Sequence, residues 1–248
     1  MRALVLRFDA PLVSFGAPAV DQNGVVQLFP ALSMLTGLIA NALGWDHRDI
    51  ARLENLQERM RYAARIDRRG EALLEYQTVD LGQDWMLAEK AGWTTRGRIA
   101  SRGGDRKNAT GTHQRYQHYR ADSVHTIALT LVGDDAPSPD DVAAALREPA
   151  RPLFIGRKCC LPAAPILIGV IDAASLVGAL SSIPRLARGR GNDGPLPASW
   201  WDGDDASEAD GESRVVPVTD ERDWRNRVHV GRRLMREGHV SPPEAQRA

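Results

Sequence analysis

The sequence has little cysteine, few aromatic residues and no net charge. Its two cysteines, Cys159 and Cys160, are adjacent, a spacing at which an unstrained disulfide is rare. The absence of a disulfide framework favours a reducing compartment, and we expect both cysteines to be small buried packing residues. Lysine plus arginine and aspartate plus glutamate number 32 each, so the chain as a whole is not a basic nucleic-acid binder.

Long apolar runs and the usual catalytic motifs are also missing. No run approaches the roughly 18 apolar residues of a membrane span, and the charged first ten residues are unlike a signal peptide. We therefore expect a cytoplasmic protein without a membrane partner. The six histidines form neither HExxH nor a zinc-like pattern with cysteines, and no Walker A or GxSxG motif occurs. We predict no metal, no cofactor and no catalytic residue.

What the sequence does have is an uneven distribution of charge. Residues 93–120 contain six arginines and one lysine against one aspartate, whereas residues 202–213 contain six acidic residues and no cation. Cations pair with phosphates, and histidine and tyrosine stack on bases, so the basic segment is predicted to contact RNA. Metal-independent RNA cleavage needs a base and a cation near a 2′-hydroxyl, and stays open as an alternative. Its candidate residues are Lys107, His113, Tyr116, His118 and Tyr119.

Residues 152–165, PLFIGRKCCLPAAP, are the most informative stretch. Gly156 permits a positive φ, and the cations Arg157 and Lys158 follow at once. A glycine beside cations lets the backbone approach a phosphate. The alternative interpretation is a turn between two strands with two solvated cations.

Hydrophobic periodicity predicts an α+β fold in the ferredoxin-like order β-α-β-β-α-β. Strands are predicted over 3–8, 60–67, 73–79, 124–132, 164–172 and 214–219, and helices over 31–44, 48–59 and 141–149. Residues 1–80 and 122–183 would form this domain, interrupted by a flexible basic insertion over 81–121. We expect 184–213 to be a disordered or loose acidic loop and 214–248 an arginine-rich C-terminal segment with a frayed end.

Four segments, in order, resemble one family. They are LVLRFDAPLVSFG (4–16), FPALSMLTGLIANALG (29–44), PLFIGRKCCLPAAPIL (152–167) and VPVTDERDWRNRVHVGRRLMREG (216–238). They are similar to the opening strand and loop, the first helix, the late glycine–cation turn and the C-terminal segment of the CasD-type subunit of the CRISPR surveillance complex Cascade. The resemblance favours the type I-E branch.

The resemblance implies an RNA-binding fold of the RRM or RAMP type, with residues 81–121 as a protruding thumb. Members of the family cap the 5′ handle of the guide RNA (crRNA), anchor the backbone subunits and help to seat the large subunit. They meet target DNA only indirectly, through the assembled complex. In the type I-E branch this subunit is not a nuclease, whereas a type I-C relative cuts the repeat RNA. The family's first helix opens with Thr, a cation, Ser and Gly. Here Ala31-Leu32-Ser33-Met34 stands instead, so Ser33 and the helix amides are the expected phosphate contacts.

We therefore predict a non-catalytic crRNA-binding subunit of Cascade, with a processing endoribonuclease and a protein–protein scaffold as alternatives. The predicted RNA-binding residues are Ser14, Gly16, Ser33, Arg96, Arg98, Arg102, Arg106, Lys107, His113, Arg115, Tyr116, His118, Arg120, Gly156, Arg157 and Lys158.

Overall fold

The computed structural model describes residues 1–18, 23–80, 112–186 and 194–244. Its strands are β1 (Arg2–Asp9), β2 (Leu12–Val13), β3 (Asn23–Gly24), β4 (Met60–Arg68), β5 (Glu71–Asp80), β6 (Thr112–Ala121), β7 (Val124–Leu131), β8 (Leu167–Asp172), β9 (Leu196–Trp201), β10 (Asp210–Val218), β11 (Glu221–Asp223), β12 (Val228–Val230) and β13 (Arg233–Val240). Its helices are α1 (Leu32–Ala42), α2 (Ile50–Arg59), α3 (Pro139–Arg147) and α4 (Leu176–Ser182). None of the helices in these ranges is long and apolar enough to cross a membrane.

Seven strands form one antiparallel sheet in the order β10-β13-β9-β4-β7-β1-β8. Every residue of β7 is buried, as its apolar sequence predicts for a strand covered on both faces. Side chains alternate between the faces along each strand, so Tyr62 and Ala64 of β4 point to one face and Ala63 and Arg65 to the other. The strands predicted over 3–8, 60–67, 124–132 and 164–172 are confirmed, with small shifts of their ends.

Helices cover the two faces unequally. The larger core packs α1, α2 and α3 against one face, which we call the α1 face, through residues such as Leu35, Ile39, Leu56 and Val142. The smaller core packs α4 against the other face, the α4 face, around the fully buried Trp200. Helix α3 begins with a capping box, in which Ser138 and Asp141 bond each other's backbone amides, as its Ser-Pro-Asp-Asp start predicts.

A second, smaller sheet stands beside the first. Strands β5 and β6 form a hairpin that stays in register from Glu71 opposite Ala121 to Asp80 opposite Thr112. Strand β6 also pairs with β2 and β3. The expectation that residues 112–121 are flexible is therefore wrong, because they pair with β5, while their place in the thumb insertion stays a prediction. Residues 81–111 lie outside the described residues.

The prediction of a loose acidic loop over 184–213 is also wrong for much of its length. Residues 196–201 form β9, which lies between β13 and β4, and Leu196, Ala198 and Trp200 alternate into the core. The preceding helix α4 was missed altogether. One residue of the acidic run caps this helix: the Asp204 carboxylate accepts the backbone N–H of Leu176 at 3.2 Å and that of Val177 at 2.9 Å.

The C-terminal segment completes the main sheet. Strand β13 pairs with β10 on one side and with β9 on the other, through to Val240. The last ten residues were expected to fray, but the first two of them, His239 and Val240, are paired in this strand. Strands β11 and β12 form a short hairpin over α1, from which the site described below takes two side chains.

Candidate nucleic-acid interface

Five of the predicted RNA-binding residues come together around one cavity. The first loop, the start of α1 and the late turn are far apart in sequence, yet their side chains and backbone enclose a space of about 280 Å³, which we call the loop cavity. The predicted residues that line it are Ser14, Gly16, Ser33, Gly156 and Arg157. The segments that carry the family resemblance thus converge on one surface feature.

Gly156 is required by protein packing. Its φ is +94°, and a Cβ built there would lie 1.8 Å from the carbonyl oxygen of Ser14. The backbone N–H of Ser14 in turn donates to the carbonyl of Ile155 at 3.2 Å. The close backbone neighbour of this glycine is therefore the first loop. Gly156 thus belongs to a turn between α3 and β8 that packs on the first loop, and its approach to a phosphate stays a prediction.

The guanidinium of Arg157 is largely engaged inside the protein. Its two Nη groups donate to the carbonyl of His118 at 2.7 Å and to that of Gly24 at 2.8 Å. The guanidinium carbon also lies 4.8 Å from the ring centroid of Tyr119. Arg157 therefore ties β3 and β6 to the late turn, and it forms a wall of the loop cavity.

The other residues of the late turn divide between surface and core. Lys158 and Cys159 are exposed, whereas Cys160 is fully buried. Burial raises the pKa of the Cys160 thiol to about 12, which keeps it protonated. The expectation of buried packing is confirmed for Cys160 and wrong for Cys159, whose Sγ lies 3.6 Å from the Tyr119 hydroxyl.

The N-terminus of α1 is capped by a residue distant in sequence. The Asp220 carboxylate accepts the backbone N–H of Leu32 at 2.8 Å, and the Asp220 carbonyl accepts that of Ser33 at 3.0 Å. The next two amides, of Met34 and Leu35, donate to the carbonyl of Ala31. Our expectation that these amides bind phosphate is wrong, because they already have acceptors within the protein. The Ser33 side chain remains at the cavity.

Asp220 is itself held by a buried arginine. Arg233 donates to both carboxylate oxygens of Asp220 at 2.7 Å and to the Tyr62 hydroxyl at 2.7 Å. The Tyr62 hydroxyl donates to the carbonyl of Pro30 at 2.6 Å. Burial raises the pKa of Tyr62, so it stays a neutral donor. This buried network fixes where α1 begins and therefore where Ser33 lies.

Two residues of the β11–β12 hairpin line the loop cavity and were not predicted. The Nε2 atom of His229 lies 3.4 Å from the Ser33 hydroxyl, and Arg222 lies beside them. Burial and the nearby Arg222 lower the pKa of His229. The resemblance covered this arginine-rich segment, but only the hairpin shows which of its cations turn towards α1.

The predicted residues on β6 do not line this cavity, although the strand pairs with β3, whose Gly24 does. Tyr116, His118 and Arg120 are half-buried and share one face of the strand by alternation, while Arg115 is exposed on the other face. The Tyr116 ring lies 5.2 Å from that of Tyr76 on β5. The side chain of His113 and the residues Arg96, Arg98, Arg102, Arg106 and Lys107 lie outside the described residues.

The family model described as CRISPR-associated protein (Cas_Cas5) matches residues 3–236. The chain belongs to this Cas5 family. The E. coli (strain K12) protein named CRISPR system Cascade subunit CasD is 26% identical over 173 residues, which are 69% of this chain and 72% of that protein.

Solved structures share the fold of this chain. A chain of a structure titled CRISPR RNA-guided surveillance complex has a TM-score of 0.64 at 22% identity, over 97% of this chain and 91% of that one. A crystal structure of a Cas protein has a TM-score of 0.62 at 23% identity, over 98% of both chains. These similarities extend the shared fold over nearly the whole chain.

Proposed function

We propose that this protein is the Cas5 subunit of a type I Cascade complex and that it binds the 5′ handle of the crRNA without cutting it. The observation that carries the proposal is the convergence of Ser14, Gly16, Ser33, Gly156 and Arg157 on the loop cavity, in a chain of the Cas5 family. Strand β6, with Tyr116, His118 and Arg120, would extend the RNA path away from this cavity.

The topology supports an RNA-binding fold of the ferredoxin-like type. The order β-α-β-β-α-β is formed along the chain by β1, α1, β4, β7, α3 and β8. The four strands of this set are neighbours in the main sheet. The β5–β6 hairpin leaves this core between β4 and β7 and leads into residues 81–111. We interpret this hairpin as the base of the thumb that the resemblance implies over 81–121.

Membership of Cascade gives the protein its partners in this proposal. It would contact the backbone subunits and the large subunit, and it would meet target DNA only indirectly through the assembled particle. The zero net charge suits a subunit that buries much of its surface against other proteins and confines its cations to one RNA path.

The first test is incubation of the full chain with its own CRISPR repeat RNA in EDTA, resolved on a denaturing gel and, in parallel, on a native gel. We expect an intact repeat on the denaturing gel and a shifted band on the native gel. A single cut that leaves a defined 5′ handle would instead establish the endoribonuclease alternative. His113, Tyr116, His118 and Tyr119 would then be the first residues to mutate.

The salt dependence of binding measures the contribution of a single cation. Lys158→Ala removes an exposed cation beside the loop cavity. If Lys158 contacts one phosphate, the slope of log K against log salt should become shallower by about 0.7. Arg147→Ala, at the exposed end of α3, is the matched control and should leave the slope unchanged. Equal slopes in wild type and Lys158→Ala would remove this lysine from the interface.

A further inference from the structure

A second cavity adjoins the loop cavity. It encloses about 360 Å³ between α1, α2, the late turn and β11, and we call it the tryptophan cavity because Trp45 and Trp224 line it together with Phe154. Ser33, Met34, Gly156 and Arg222 line both cavities. The two cavities therefore adjoin at these four residues, and we call them together the groove along α1.

Two buried donors on residues that line this groove have no acceptor among the described residues. They are the Nε of Arg222 and the indole Nε1 of Trp224. The Arg222 guanidinium lies 5.4 Å from the Trp224 ring centroid, so the two groups form one unit at the junction. A buried donor without an acceptor is costly, and both of these atoms can only donate. Two side chains that line the groove thus each carry a donor that the described part of the protein leaves unsatisfied.

The charges of the groove differ between its two ends. The loop cavity has the cations Arg157 and Arg222 on its walls and no carboxylate among the described residues that line it, which favours an anion. The tryptophan cavity has aromatic walls, and its lining includes both the Asp46 carboxylate and the cation Arg151, whose charges oppose each other. An occupant is thus oriented with its anionic part at the loop cavity and a flat, neutral part between the aromatic residues.

We propose that the groove holds one splayed-out nucleotide of single-stranded RNA, with its phosphate at Arg222 and His229 and its base against Trp224 in the tryptophan cavity. A nucleotide combines an anion, a flat ring and ring acceptors, and single-stranded RNA is commonly read by stacking unpaired bases on aromatic side chains. This inference rests on the proposed RNA-binding function and adds a specific base position to it.

Gly37 keeps space for the base. It lies on α1 in the wall of the tryptophan cavity, and a Cβ there would meet only the Trp224 ring, at 3.9 Å. A larger side chain at this position would therefore enter the cavity without displacing backbone. Glycine inside a helix is otherwise unfavourable relative to most residues, so a replacement should not weaken α1.

The test measures binding of fluorescent handle RNAs from the chain's own repeat to the full-length protein, one oligonucleotide for each single abasic position. In wild type, one abasic position should weaken binding by roughly 10-fold through lost stacking. Trp224→Leu and Gly37→Leu should each weaken the intact handle by a similar factor, and the abasic penalty should then disappear. Arg222→Gln should reduce the salt slope by about 0.7.

Two further variants separate the contribution of the indole N–H from that of ring stacking, and the loss of Trp224 from the loss of any other tryptophan. Trp224→Phe retains an aromatic ring without the indole N–H, so it should lose less affinity than Trp224→Leu. Trp201→Leu is the matched control, since Trp201 also lies beneath an arginine, Arg61 at 4.2 Å, but lines neither cavity. Circular dichroism and thermal unfolding establish that each variant is folded.

The outcomes distinguish this inference from the proposed function. If wild type binds the handle but no abasic penalty depends on Trp224 or Gly37, the nucleotide site is wrong and the RNA-binding function stands. If Trp224→Leu leaves RNA affinity intact and weakens assembly with the large subunit, the cavity holds a protein side chain and the inference is also wrong. If wild type binds no handle RNA, both proposals fail together.

Discussion

The two faces of the main sheet each bury an arginine beside an aspartate, but the two arginines hold different parts of the chain. On the α4 face, Arg65 pairs with Asp67 at 3.0 Å and donates to the carbonyls of Ile183 at 2.7 Å and Pro184 at 3.0 Å. On the α1 face, Arg233 pairs with Asp220, which caps α1 beside the loop cavity. The same kind of buried ion pair thus holds the end of a helix on one face and borders a cavity on the other.

The difference lies in which backbone groups each pair satisfies. Arg65 satisfies carbonyls at the end of α4, and this end of the helix lines none of the cavities described above. Asp220 satisfies amides at the start of α1, which border both cavities of the proposed RNA groove. Chemistry alone therefore does not assign a buried ion pair to function. Its position relative to a cavity does.

The largest expected effect comes from removing each buried arginine. Arg65→Met and Arg233→Met should each destabilise the fold by about 3–5 kcal/mol, because each leaves an aspartate buried without its partner. Urea unfolding measures this loss. Under conditions where both variants remain folded, Arg233→Met should bind handle RNA more weakly and Arg65→Met should bind like wild type.

Arg214→Met is the control for this pair of variants. Arg214 pairs with Glu237 at 2.7 Å, but its side chain is 77% exposed, so its loss should cost less than about 1 kcal/mol. Equal losses of RNA affinity in Arg65→Met and Arg233→Met would remove the distinction between the two faces.

The next effect is a pH dependence located on the α1 face. His125 is buried there against Phe15, with ring centroids 4.8 Å apart, and its Nε2–H donates to the carbonyl of Leu28 at 3.0 Å. Burial lowers the pKa of His125 from 6.5 to about 4. As the pH falls, the unfolded chain therefore takes up this proton first. Stability present above pH 6.5 should be lost between pH 6.5 and 4, by up to about 3 kcal/mol.

His125→Gln tests this prediction because its amide can still donate to Leu28 while it cannot titrate. The variant should have a flatter profile of unfolding free energy between pH 4 and 6.5, measured by urea denaturation at each pH. Identical profiles for His125→Gln and wild type would show that other groups cause the pH dependence.

The smallest effect concerns Gly156, where the α1 face meets the first loop. Gly156→Ala should cost about 1–3 kcal/mol and weaken RNA binding, because its Cβ collides with the Ser14 carbonyl. Gly133→Ala is a close control, since Gly133 has φ +78° but open space around it. Gly133→Ala should lower stability only through the strain of the positive φ, and it should leave the RNA affinity unchanged. If both variants behave alike in binding, the packing of Gly156 on Ser14 does not shape the site.

Most strands and helices were predictable because they follow local periodicity. The apolar runs of β1 and β7, the helical spacing of α1 and the Ser-Pro-Asp-Asp start of α3 each carry their own signal. Strand β6 and helix α4 were missed for opposite reasons. The polar sequence of β6 is held in register by its partners, and α4 is a short apolar segment beside a low-complexity composition.

The candidate site was predictable as a set of segments but not as an arrangement of atoms. The resemblance brought together the first loop, the start of α1 and the late turn, which line the loop cavity. It did not reveal that Arg157 donates to two carbonyls, that Cys159 is exposed, or that Arg222 and His229 complete the walls.

The sequence by itself determined the order of most elements, the resemblance to the CasD-type subunit and the concentration of cations in one segment, because these are properties of neighbouring residues. The tertiary structure alone decided how α1 is capped, since the Asp220 carboxylate that bonds Leu32 lies 188 residues away. It also decided that Gly156 packs on backbone and that Arg222 lines both cavities. Contacts between residues distant in the chain leave no local pattern, so only the folded arrangement reveals them.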